Sequence, residues 1–402
     1  MAGDAVLLPE MFLNGHHANY LCRIATHFLQ QGCEVHLIVA ASSSTHPELD
    51  RLCRGYPGAV HLHLLDDAAC KRALWGGRSQ VVREFRVWLL LRRACLAVRR
   101  QTPVALTFVP YLDYCLHSLA LLGAGFFGSR WAAVTMRPAF HQRAEGVIAP
   151  PARGAAIKRW LFFALLRQRG LESLYAIDPT LVAHVRRTAP TLADRLRHFP
   201  DPVTPPRQHD VAALRQRYGI AMDACVIVLF GAIDLRKGIR ELLMALELPQ
   251  ARHWVLLIVG RQEEPVHQLL GEARWQALLR DARVLQRDAY VSEDVEHEVF
   301  ALADAVWLGY RGHYAMSGVL VRAGTYRKPV LACREGLIGW YARRAGLGLL
   351  CDPAPEDIAR ALCALEDPDL AARLGERGQA CFAAQLWSDT LALLPRCRDS
   401  QR

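Results

Sequence analysis

The sequence predicts an α/β protein of two successive Rossmann-like domains, and three observations carry that prediction. Short, mainly apolar runs recur along the 402 residues, separated by stretches with helical periodicity. The series is interrupted by a proline-rich segment, FPDPVTPPRQH at 199–209, and then restarts. The length suits two domains of roughly 200 residues each. Apolar runs without alternation are what strands buried on both faces require, and a helix between successive runs is the crossover that parallel strands need.

In order along the chain, DAVLLPE (4–10) reads as the first strand and GHH as a polar turn. In NYLCRIATHFLQQG, Leu21, Ile24, Ala25 and Phe28 fall at i, i+3, i+4 and i+7, one face of a helix closed by Gly32. CEVHLIVA (33–40) is the second strand, completing a βαβ unit, and VALTFVP (104–110), WAAVTM (131–136) and SLYAID (173–178) continue the series. The first domain is expected to span 1–200 and the linker 201–209. CVIVLFG (225–231), HWVLLIVG (253–260), ARVLQR (282–287), AVWLGY (305–310), KPVLAC (328–333) and GLGLLC (346–351) then place a second domain over 210–385. Residues 386–402 read as a C-terminal helix or tail, free to cross back to the first domain. Ligands are expected at the carboxyl ends of strands and in the cleft that the two domains face.

Composition excludes several classes. With 52% hydrophobic and 22% charged residues the chain is globular, and the opening MAGDAVLLPEMFLNGHH lacks the basic and apolar regions of a secretory signal. The longest apolar run, 114–127, is too short to span a bilayer. Twelve cysteines without a C-x-x-C pair suit a reducing compartment and neither a disulfide framework nor a zinc site. A cytoplasmic location is expected. The net charge of +10 is uneven: residues 1–200 carry 24 Lys+Arg against 13 Asp+Glu, and the remainder is nearly neutral. No aromatic-interleaved basic stripe points to nucleic acid. In VREFRVWLLLRRACLAVRR, Val87, Trp88, Leu91, Ala94, Cys95 and Val98 make an apolar face opposite Arg86, Arg92, Arg93, Arg99 and Arg100, with Leu89 and Leu96 among them. In AAIKRWLFFALLRQR, Phe162 and Leu166 share a face with Lys158 and Arg169. Apolar groups in a basic face suit a helix lying on anionic lipid, whereas two packed helices with solvated arginines would look the same.

The stretch LFGAIDLRKGIRELLMALEL (229–248) reads as a strand end, a tight loop and a helix whose Ile239, Leu242, Leu243 and Leu246 pack on the sheet. Arg236 and Lys237 sit at the joint, in a chain with only four lysines. A helix N-terminus already carries unpaired amides and positive dipole, so two more cations there call for an anion. His16 and His17 follow the first strand, where one could orient an acceptor or contact phosphate.

The order of these features resembles the GT-B glycosyltransferases, specifically the family 4 retaining enzymes. FGAIDLRKGIRELLMALE, VLLIVGRQEE, YVSEDVEHEVFALADAVWLGYR and SGVLVRAGTYRKPVLACREGLIGW carry the likeness in the second half, and HFPDPV resembles the family's hinge. The resemblance implies transfer, with retention, from a nucleotide-diphosphate sugar to a lipid-linked or polysaccharide acceptor, without metal or any cofactor besides the donor. It places Lys237 and Arg236 on the leaving diphosphate. Arg137, with His141 four residues on, stands where the family has a histidine near the donor sugar, and Asp113 is the nearest carboxylate candidate. Ser317 is expected to cap a helix starting at Gly318, where phosphate approaches the amides, and His313 to donate a hydrogen bond. The chain departs from the family at Ala232, usually arginine, and at Tyr314, Arg322 and Trp340, which replace glutamates. Arg322 cannot accept from ribose hydroxyls, but it can grip a phosphate or carboxylate with two prongs. A binding or scaffold protein with a degenerate donor site, or a sugar-nucleotide epimerase, are the alternatives.

Overall fold

The computed structural model describes residues 4–13, 17–77 and 79–397. His16 lies outside them. Two compact units divide the chain: one comprises the residues up to His141, Pro151–Pro200 and the tail from Leu391, the other Gln142–Pro150 and Asp201–Thr390.

In the first unit seven strands, β1 (Ala5–Pro9), β2 (Glu34–Ala40), β3 (Val60–Leu65), β4 (Val104–Val109), β5 (Trp131–Thr135), β6 (Leu171–Ala176) and β7 (Leu196–His198), form one parallel sheet in the order β3-β2-β1-β4-β5-β6-β7. The second holds β8 (Cys225–Phe230), β9 (Trp254–Val259), β10 (Val284–Arg287), β11 (Ala305–Leu308), β12 (Val330–Ala332) and β13 (Gly348–Leu350), parallel in the order β10-β9-β8-β11-β12-β13. Both orders are doubly wound and reverse direction beside the first strand of the sheet, at β1/β4 and at β8/β11. The period-two alternation of β8 supplies both faces of its core: Val226, Val228 and Phe230 join one apolar cluster, Ile227 and Leu229 the other.

Two strands escape the search for apolar runs. β3, VHLHLL, carries histidines at 61 and 63 and is an edge strand with no fully buried residue. β7 is only three residues long. The unit boundaries differ from the sequence expectation as well. Residues 142–150, read into the first domain, group with the second, where Gln142 donates to Tyr314 O (3.0 Å) and Trp340 Nε1 to Glu145 O (3.2 Å). The expected linker is tied into the second unit, with Val203 N donating to Gln385 O (2.9 Å) and Trp387 N to Val203 O (3.2 Å). The tail from Leu391 belongs to the first unit, held by the Tyr175 hydroxyl on Leu393 O (2.8 Å) and Arg130 on Cys397 O (3.2 Å).

Helix Gln80–Gln101 buries Val87, Leu91, Cys95 and Val98, the face expected from spacing. Several of its arginines are engaged: Arg86 donates to Gly76 O, and Arg99 to Phe127 O (3.1 Å). In helix Ala155–Leu166 the expectation fails. Phe162 and Leu166 are fully buried core residues, and the exposed apolar side chains are Ile157 and Trp160. Hydrophobicity alone did not say which of two apolar faces met the core.

Candidate functional site

In the second unit the loops after β8 and β11 meet at the reversal of strand order. The chain leaves β8 through Gly231 and makes one 3-10 turn, Leu235–Lys237, before helix Ile239–Leu246. Gly238 joins turn to helix at φ +70°, and a Cβ there would stand 2.5 Å from Gly309 O, so only glycine lets the loop close on the end of β11. Trp307 Nε1 donates to Lys237 O (2.6 Å) and Arg311 N to Arg236 O (2.7 Å), fixing the turn from the other loop.

This closure leaves Lys237 half-buried. Its ammonium donates to Phe230 O and lies 5.0 Å from the centroid of the Tyr310 ring. Burial, with Arg236 adding to it and Asp234 opposing, lowers its pKa from 10.5 to about 8. Arg236 is placed differently from expectation. Its guanidinium grips Asp234 through Nη2 (2.6 Å) and Nε (3.0 Å) and is largely exposed, so its charge is already answered within the turn. His313 reaches the same place: it packs edge-on against Tyr310 (5.7 Å), its Nε2 lies 3.3 Å from Met316 O, and burial lowers its pKa, as do Arg236 and Lys237.

The rest of the expected donor site is arranged otherwise. Ser317 is the buried N-cap residue of helix Gly318–Thr325, but its side chain makes no capping hydrogen bond; it lies beside the Tyr310 hydroxyl. A Cβ on Gly318 would stand 3.3 Å from the Asp201 carboxylate, so this N-terminus has an acidic side chain as its neighbour. Arg322 is already engaged: Nε pairs with Glu296 (2.7 Å) and Nη1 donates to Thr204 Oγ1 (3.1 Å), the pair being 13% and 21% exposed. Trp340 joins the core around Glu145, and Tyr314 lies beside Glu335.

In the first unit the loops after β1, β4 and β5 converge at the β1/β4 reversal. Glu10 opens the first of these, buried, its carboxyl raised by burial despite His17, whose Nδ1 is 3.6 Å away. The His17 ring packs edge-on against Tyr111 (4.8 Å) and stacks near Tyr114 (6.3 Å), while the Arg137 guanidinium lies 5.5 Å from the Tyr111 centroid. Asp113 accepts from Thr135 Oγ1 (2.5 Å), Met136 N (2.7 Å) and Arg137 N (3.2 Å), which fixes the backbone from which Arg137 projects; burial nevertheless raises its carboxyl. Beside it is a cavity of about 150 Å³ lined by Asp113, His117, Arg137, Phe140, Lys158 and Phe162. Glu84, buried, orients His117 through Nδ1 (2.9 Å) and the backbone N (3.0 Å). The volume is below the roughly 300 Å³ of small ligand pockets, room for a substituent and not a nucleotide.

His141 is not part of this group. It is wholly buried, with Nε2 on Asp178 (2.9 Å) and Thr180 (3.1 Å), packed by Phe140 and His184, and Asp178 caps helix Pro179–Thr188. Burial would raise the Asp178 carboxyl, but His141 and Thr180 hold it low. The residues that sequence reasoning missed are Glu10, Tyr111, Tyr114, Glu84 and His117 here, and Asp234 and Tyr310 in the second unit. A signal existed for Glu10 and Tyr310, polar groups ending apolar runs at strand termini, but none for Glu84, which sits in a helix 33 residues from His117.

Against solved structures, the chain aligns over 97% of its length with 96% of sucrose-phosphate synthase from Thermosynechococcus elongatus, at a TM-score of 0.68 and 16% identity. The chain has the GT-B fold. HepE from Anabaena, solved with UDP and glucose, is matched over 97% of each chain (TM-score 0.64, 14% identity). WaaG, a glycosyltransferase involved in lipopolysaccharide biosynthesis, is matched over 96% of this chain and 97% of that one (TM-score 0.59, 16% identity). No protein-family model and no curated protein sequence matches the chain.

Proposed function

We propose that the chain is a glycosyltransferase that moves a sugar, with retention and without a metal, from a nucleotide-diphosphate sugar to a lipid-linked or polysaccharide acceptor. The observation that carries this reading is Lys237: a desolvated cation, set by Gly238 at the carboxyl end of β8, with no carboxylate bonded to its ammonium among the described residues. A preorganised cation in a low-dielectric position stabilises charge developing on a leaving diphosphate. The solved relatives with UDP or UDP-glucose bound support the donor class.

In this reading Lys237 neutralises the leaving group, His313 hydrogen-bonds to the donor and the Arg236–Asp234 pair steadies the turn. The departing phosphate itself takes the acceptor proton, so no separate base is needed. Arg137, His17 and Lys158 receive the acceptor side, with Asp113 positioning Arg137. The experiment is release of labelled sugar from a panel of nucleotide-sugars, with and without glycan or lipid-linked acceptors. Turnover of one donor, stimulated by an acceptor, is expected; no turnover of any would favour the scaffold alternative, to which the Asp201 carboxylate at Gly318 and the Glu296-bound Arg322 lend weight.

The acceptor reading includes an anionic membrane surface, with the protein peripheral on its cytoplasmic side. Trp75, Val81, Phe85, Ile157 and Trp160 are exposed on three helices, the first two packed together and the third joined to them through helix Leu116–Leu122, that also carry Arg72, Arg83, Lys158 and Arg159. No helix among the described residues is long and apolar enough to cross a membrane. The protein is therefore expected to sediment with anionic vesicles at low salt and to be released as salt screens the attraction, with Trp160→Ser weakening retention. Equal sedimentation with neutral vesicles, or none, contradicts this.

A further inference from the structure

A group of imidazoles stands apart from the strand-end loops, toward the amino ends of β2 and β3. Glu34 opens β2 and His36 follows two residues on; His61 and His63 alternate along β3. Side chains alternate with period two, and His36 pairs with His61 in the parallel register, so all four stand on one face of the sheet edge. The His36 ring stacks on His61 (4.6 Å, 22°) and His63 (5.2 Å, 18°). Glu34 Oε2 is 3.6 Å from His61 Nε2, and one ligand-capable atom each of Glu34, His36 and His61 lies within 4.8 Å of the others.

His36 is 5% exposed, and its Nε2 is buried with no hydrogen-bond partner among the described residues. An orphaned buried nitrogen is costly unless something fills the position it faces. Its other nitrogen, Nδ1, lies 2.9 Å from His63 Nε2; with Nδ1–H donating there, the Nε2 lone pair is left for a ligand, the way an outer hydrogen bond fixes a metal-bound imidazole. Two imidazoles and one carboxylate suit zinc, whereas calcium and magnesium take oxygen ligands. A tetrahedral zinc ion with ligands at about 2.0–2.1 Å holds them roughly 3.4 Å apart, close to the Glu34–His61 separation.

We propose that Glu34, His36 and His61 form a zinc site that clips the edge strand β3 to β2, with His63 fixing the ring of His36. The site has a structural task, since the proposed transfer chemistry uses the carboxyl ends of the strands. The test is calorimetric titration of the untagged full chain, freed of metal by chelator, with zinc chloride, alongside its melting temperature. Wild type is expected to bind one zinc ion per chain and to melt higher with zinc than with chelator. Glu34→Gln and His61→Gln should each lose this saturable binding while melting like wild type in chelator, and His63→Leu should weaken it about 10–100-fold. Absence of saturable binding in wild type overturns the proposal. So does undiminished binding by both Glu34→Gln and His61→Gln, which would place the metal elsewhere on the chain.

Discussion

Replacing Lys237 by methionine is expected to lower turnover of the nucleotide-sugar by about 100-fold or more, while leaving the protein at least as stable as wild type at neutral pH. The two effects part because the ammonium is held where burial opposes its charge. Keeping it protonated at a site whose pKa has fallen from 10.5 to about 8 costs roughly 3 kcal/mol at neutral pH, and methionine relieves this. The sign follows from proton binding. Between about pH 8 and 10.5 the unfolded chain holds the Lys237 proton and the folded chain does not, so this residue makes stability rise with pH across that window. Lys237→Met should lose that rise. Activity should move the other way in wild type, kcat/KM falling as pH rises through about 8 and the cation is lost. Urea denaturation across the pH range and initial rates on the same preparations check both; a variant with wild-type turnover removes Lys237 from the chemistry.

Arg322→Ala should act on the fold and not on the donor. Removing one member of this largely buried ion pair leaves the other uncompensated, here Glu296, whose carboxyl burial already raises while Arg322 lowers it. The loss is expected to be about 2–3 kcal/mol, between the values for exposed and fully buried pairs. Exchanging both, as Arg322→Met with Glu296→Leu, should recover most of it. Equilibrium unfolding of the single and double variants distinguishes this from the two-pronged donor contact that the sequence suggested, for which Arg322→Ala would retain its stability and lose ligand affinity.

The contrast between these two residues shows what the sequence could convey. Lys237 was legible because its neighbours in the chain set its position: an apolar run before it, a glycine after it, and an amphipathic helix whose Ile239, Leu242 and Leu243 must meet the sheet. Arg322 was not, because its position is decided by Glu296, 26 residues earlier on another helix, and by Thr204 beyond that. The same holds for His141, whose partner Asp178 is 37 residues on, and for Ser317, whose N-terminus was open in sequence and has Asp201 beside it in space. Strands were read wherever both faces are buried, and β3 was missed where its histidines break the apolar run. Those histidines carry the zinc proposal, and cysteine spacing gave no hint of it.

Calorimetric titration with a panel of nucleotide-sugars, near pH 8 and in two buffers of different ionisation enthalpy, tests the donor reading most directly. An anion placed against Lys237 favours its charged form, so binding should draw a proton from the buffer. The expected result is at least one saturable ligand whose binding takes up protons in wild type, and whose affinity and proton uptake both fall in Lys237→Met. A panel without any ligand, or one bound equally well by Lys237→Met, would contradict a donor site built around this lysine.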